Sequence, residues 1–146
     1  MTWIFWALLG AFSFGAYNFL MKIASGGIHQ ILGAVVLQAS ALAVGVLLLA
    51  VLHFRGVPLP VSKAGLGFAA LAGVSVGLAE ILSFVVFSQG VTVTRATPIL
   101  IGGGVVAAGL LALAFGRESL GIREATGIAL VVTGIWLLVG GDSTEG

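Results

Sequence analysis

The chain has 146 residues, a net charge of +1 and no cysteine; 60% of its residues are hydrophobic and only 8% are charged. Soluble domains carry about 25% charged residues, so this composition excludes a soluble globular core. The near-zero charge excludes a nucleic-acid surface, and the missing thiols exclude disulfide and thiolate chemistry.

Apolar stretches fill residues 4–21, 31–54, 64–87, 99–115 and 128–139, with short polar breaks between them. A helix needs about 20 residues to cross a bilayer, and each stretch reaches or approaches that length once its small flanking residues are added. Backbone inside lipid must satisfy its own hydrogen bonds, which leaves helices or a closed barrel. The runs lack the period-two alternation of barrel strands. The predicted fold is therefore an all-α membrane protein, with five transmembrane helices forming a single domain over residues 1–146.

The first helix is expected over residues 3–24, with Trp3 and Trp6 as interfacial belt residues and the Ser25-Gly26-Gly27 break as its end. No basic residue precedes it and no cleavage site with a polar mature domain follows, so it reads as a retained span. Gly10, Ser13 and Tyr17 share one face by their spacing, with Asn18 beside them and Lys22 one turn further. Ser13, Tyr17 and Asn18 are candidates for lining a pathway. Tyr17, Asn18 and Lys22 are equally compatible with a place near the interface, where aromatic and snorkelling basic side chains are ordinary.

The second helix is expected over 31–54. Gln38 is the one amide well inside it, with Ser40 close by; a ligand contact and an interhelical hydrogen bond both account for it. A loop with Arg55, Gly56, Pro58 and Pro60 follows. The third helix, 64–88, holds the one acidic residue deep in a span, Glu80. An ionised carboxylate there costs a few kcal/mol or more unless it faces a cavity or a partner. Gly73, Gly77 and Glu80 stand at i, i+4 and i+7 on one face, and the GxxxG pair lets another helix approach, so this face is expected to point into protein. Such a carboxyl suits proton binding or capture of a cationic group; a packing role through a hydrogen bond is the alternative.

Thr97 as N-cap and Pro98 in the first turn place the start of the fourth helix at 97, running to 115. Gly102, Gly103 and Gly104 lie early in it. They serve either close helix packing or a local bend beside a cavity. Arg95, in the preceding loop with Gln89, reads as a topology and headgroup residue. The fifth helix is expected over 123–139, with Glu124 at the positive end of its dipole, followed by a short polar tail holding Asp142 and Glu145. His29 and His53 sit at span ends without ligand company, so neither a metal nor another cofactor is expected. No nucleophile and base stand at a recognisable spacing, and enzyme chemistry has no support.

Five spans put the termini on opposite sides of the membrane. Loops on the N-terminal side carry Arg55, Lys63, Arg117 and Arg123, against Lys22 and Arg95 on the other, four basic residues to two. The positive-inside rule then favours a cytoplasmic N-terminus only weakly, and insertion both ways round becomes a hypothesis.

The segment from Ser83, SFVVFSQGVTVTRATPIL, followed by a small-residue helix and FGRESLGIREATGIALVVTGIWLLV, resembles one EamA-type repeat of the drug/metabolite transporter superfamily. The resemblance rests on Pro98 at the fourth span, Glu118 in the acidic turn after it, Gly127 and Gly134 in the last helix, and the five-span count. It implies a carrier of small metabolites or drugs in a bacterial or archaeal cytoplasmic membrane. Family members commonly hold two repeats in opposite orientation, whereas this chain holds one. The expectation is a homodimer, antiparallel in the preferred version, with membrane lipid and a small-molecule substrate as its other partners. Its site would lie between the copies and work by alternating access, and Glu80 would suit proton coupling. The alternatives are a non-transporting membrane subunit that stabilises a partner complex, and a small dual-topology channel.

Overall fold

The computed structural model of the chain describes residues 2–115 and 121–140. It contains α1 (Thr2–Ser25), α2 (Gln30–Phe54), α3 (Lys63–Ser88), α4 (Val93–Ala114) and α5 (Ile122–Gly140). The shortest, α5, has 19 residues and the longest, α3, has 26. At about 1.5 Å per residue every helix reaches close to or beyond the roughly 30 Å of a hydrocarbon core. All five are long and apolar enough to cross a membrane.

Their ends follow from local chemistry. The His29 ring accepts a hydrogen bond from the Ile31 N–H at the start of α2, and Ser62 Oγ accepts one from the Gly65 N–H at the start of α3. These side chains satisfy donors that a helix N-terminus leaves without partners. At the end of α2, Gly56 adopts φ 67° and its N–H bonds to the His53 carbonyl while that of Val57 bonds to Leu52. That pair is a Schellman closure, which needs a left-handed residue and so favours glycine. Gly90, at φ 89°, also takes the left-handed conformation after α3, and its N–H bonds to the Phe87 carbonyl.

Four of the five helices begin and end within a residue of their expected bounds. The exception is the start of α4. Its cap is Thr92, five residues ahead of the expected Thr97, and Pro98 lies inside the helix. The N–H groups of Arg95 and Ala96 both bond to the Thr92 carbonyl. Helix over 93–97 satisfies backbone that would otherwise meet lipid bare, and this outweighs the one donor that Pro98 lacks. The turn holding Glu118 and Arg117, and the tail with Asp142 and Glu145, lie outside the described residues.

The chain divides after Gly90 into two compact units. In the first, α1, α2 and α3 pack around a small core set toward one end: Asn18, Met21 and Ser25 from α1, Gly33 and Ala34 from α2, and Ser83, Phe84 and Phe87 from α3. Asn18, Met21 and Ser25 recur at i, i+3 and i+7, a single helical stripe. The Phe84 ring seats on Gly33, where a Cβ would stand 2.6 Å from the ring. Two polar contacts tie the same end. Lys22 Nζ donates to the Phe87 carbonyl at 2.9 Å, and Gln30 Nε2 to Ser88 Oγ at 3.1 Å. Elsewhere the apolar side chains of these helices face outward, among them Leu42, Leu47, Phe68 and Leu78. Contiguous apolar surface on this scale is suited to acyl chains or another protein, not to water.

The second unit is the α4 and α5 pair. A Cβ at Gly102 would stand 3.0 Å from Val131 and Ile135, and one at Gly109 would stand 3.1 Å from Ile128, so the two glycines, seven residues apart, form the seam. α4 is continuous helix through Gly102, Gly103 and Gly104, with no unwinding there. Arg95 reaches across to the Leu138 carbonyl at 3.5 Å, near the C-terminus of α5.

Candidate functional site

Glu80 is eight residues from the end of α3, which places it about 12 Å inside the span. The Tyr17 hydroxyl of α1 donates to its Oε2. Both side chains are half-buried. The two residues are 63 positions apart in sequence, and what brings them together is the packing of α1 on α3 through the core described above. Among the described residues no basic side chain pairs with Glu80, so the carboxyl has one neutral donor and remaining acceptor capacity.

On the far side of the Tyr17 ring opens a cavity of about 320 Å³, lined by Tyr17, Leu20, Met21, Gly33, Leu37 and Phe84 among others; Glu80 and Gln38 border it through Tyr17 and Leu37 and are not part of its lining. That volume is within the range of small-molecule sites, and its walls are apolar except for the tyrosine. One wall owes its shape to Gly33, since any side chain there would push the Phe84 ring into the space.

Gln38 lies on α2 against Gly77, where a Cβ would stand 3.4 Å from its Nε2 and 3.5 Å from its Oε1. Gly77 precedes Glu80 by one turn on the same face of α3. Tyr17 and Glu80 are in direct contact, and Gln38 packs on α3 one turn before Glu80. The other sequence candidates fall elsewhere. Ser13 is exposed and donates to the Leu9 carbonyl of its own helix at 2.9 Å. Asn18 is 2% exposed and donates to the Phe14 carbonyl at 2.8 Å, within the core. Within the chain, a Cβ at Gly73, Gly103 or Gly104 would meet nothing within 4 Å, whereas Gly77 and Gly102 are in close contact with neighbouring helices.

Sequence reasoning missed the latch made by Lys22. Read as an interfacial residue, it instead donates to the Phe87 carbonyl in the last turn of α3, a position where a cation is favoured by the helix dipole. Its place one turn beyond Asn18 was visible, but nothing in the sequence named Phe87 as its partner.

The phenol and carboxyl can exchange partners. A cation reaching Glu80 would have to compete with the Tyr17 hydroxyl, and a proton there would remove the charge that attracts it. Tyr17→Phe should keep the fold and leave Glu80 without its donor. A hydrogen bond of this kind contributes about 1 kcal/mol or somewhat more with a charged partner, so flux or binding in the variant is expected to change by roughly fivefold to tenfold. Unaltered binding across a series of cations would show that the contact serves packing.

Residues 1–140 match the family described as EamA, the EamA-like transporter family. No curated protein and no solved structure matches the chain.

Proposed function

Because the chain belongs to the EamA-like transporter family and is a multi-pass membrane protein built for carrying small molecules, we propose that it works as a homodimer, two copies inserted in opposite orientations, by alternating access. The observation that carries the site assignment is the Tyr17 to Glu80 hydrogen bond beside the α1, α2 and α3 cavity. Glu80 binds the coupled proton or the cationic group of the substrate, and the two compete for it.

Three features support the oppositely inserted pair. Five spans reverse a repeat without any further device, and transporters often place their site between inverted repeats. The basic residues are divided four to two between the two sides, a bias too small to impose one orientation. The outward apolar surface of α1, α2 and α3 leaves room for a second copy near the site. The membrane is the cytoplasmic membrane of a bacterium or archaeon.

Topology mapping with a C-terminal reporter tests the arrangement: signal from both sides is expected, and signal from one side alone removes the antiparallel dimer. Transport is tested by reconstituting the purified chain in vesicles. Flux without any other protein is the expected result, and its absence over a broad solute panel favours the non-transporting subunit.

A further inference from the structure

Gln38 is the ninth residue of α2 and half-buried within the span. Among the described residues its amide has no hydrogen-bond partner. The helical hydroxyls behave differently. Ser13, Ser40, Ser75, Ser83, Thr126 and Thr133 each donate to the carbonyl four residues earlier. Thr97 Oγ1 also lacks a partner, but it is fully buried, whereas the Gln38 residue is only half-buried. An interhelical hydrogen bond is thus not what holds this glutamine within the chain, and an unanswered amide in a bilayer costs free energy. Its location is specific: it rests in the notch left by Gly77, one turn from Glu80.

We propose that Gln38 and Glu80 form a two-point recognition element for a protonated amine that carries a neighbouring uncharged hydrogen-bonding group, a hydroxyl or carboxamide, on an apolar body seated in the cavity lined by Tyr17, Leu37 and Phe84. The assignment rests on the transport reading and narrows its substrate class. Each part follows from chemistry. The Glu80 carboxylate accepts from an ammonium N–H. The Gln38 amide both donates and accepts, so it answers a hydroxyl or carboxamide fully. A carboxylate beside the amine would be opposed by the like charge of Glu80. A quaternary or phosphonium cation would leave the amide unanswered, and a site with an unpaired buried polar group discriminates against such a ligand.

Calorimetric titration of the purified full chain with phenylalaninol, 2-phenylethylamine and tetraphenylphosphonium tests this. Phenylalaninol differs from phenylethylamine by one hydroxymethyl group, and it is expected to bind about tenfold more tightly, the yield of one or two well-made hydrogen bonds. In Gln38→Met, a near-isostere without hydrogen-bonding groups, phenylalaninol should fall to the level of phenylethylamine. Gln38→Ala serves the same comparison if the methionine variant does not fold. Equal affinity of the native protein for the two amines overturns the proposal, as does a preference that survives both substitutions, tighter binding of tetraphenylphosphonium than of phenylalaninol, or no binding of either amine. Vesicle flux of other solutes without amine binding would sink this inference and leave the transporter standing. Gln38-dependent amine binding without flux of any solute would do the reverse.

Discussion

Glu80→Gln is expected to fold as the native chain does and to lose solute flux driven by an imposed proton gradient. Glutamine keeps the shape of the side chain and a carbonyl that can accept from the Tyr17 hydroxyl, so the α1 to α3 contact survives. What disappears is the negative charge and the ability to take up and release a proton. Removing one partner of a desolvated charge pair typically costs roughly 2–5 kcal/mol, and cation binding should weaken by at least about thirtyfold. Proteoliposome uptake and calorimetric binding, run beside a melting curve, measure the two sides of this statement. Gradient-driven flux that persists unchanged would assign the carboxyl to packing alone.

Gly33→Val should have the largest effect on the fold of the first unit. A Cβ at this position would lie 2.6 Å from one carbon of the Phe84 ring, 2.7 Å from a second and 3.0 Å from a third. Phe84 is 2% exposed, so the ring can yield only into the cavity that it lines, at the cost of its packing. Overpacking of a tight contact costs about 1–3 kcal/mol and often more when the backbone must move. Without a hydrophobic force between helices in lipid, close packing carries much of their association, so α2 should loosen from α3. Thermal melting in detergent is expected to shift down, and a cysteine pair placed across α2 and α3 should crosslink less. Gly73→Ala is the matched control. A Cβ there meets nothing within 4 Å in the chain, so a comparable loss from Gly73→Ala would show that glycine itself, not the seating of Phe84, governs stability.

The helices themselves were legible from composition. Runs of apolar residues near bilayer length, with glycine and proline at the breaks, name helical spans because lipid offers the backbone no other partner. The start of α4 escaped that reading for the same reason: proline and threonine are local signals, and the demand that backbone in a membrane be bonded is stronger than either.

Glu80 also stood out alone, since the cost of an acid in hydrocarbon is a property of the residue and its depth and needs no knowledge of neighbours. Its neighbours were a different matter. That Tyr17 donates to Glu80, that Gln38 rests on Gly77 unanswered, and that Lys22 closes the end of α3 depend on the register and rotation of helices packed against one another. Helix packing admits several crossing geometries, and spacing along one helix says which residues share a face without saying what that face meets. Sequence by itself determined the solvent, the helices and the one costly charge. Only the tertiary packing decided which side chains surround that charge, because contacts such as Phe84 on Gly33 select one register among the many that hydrophobicity allows.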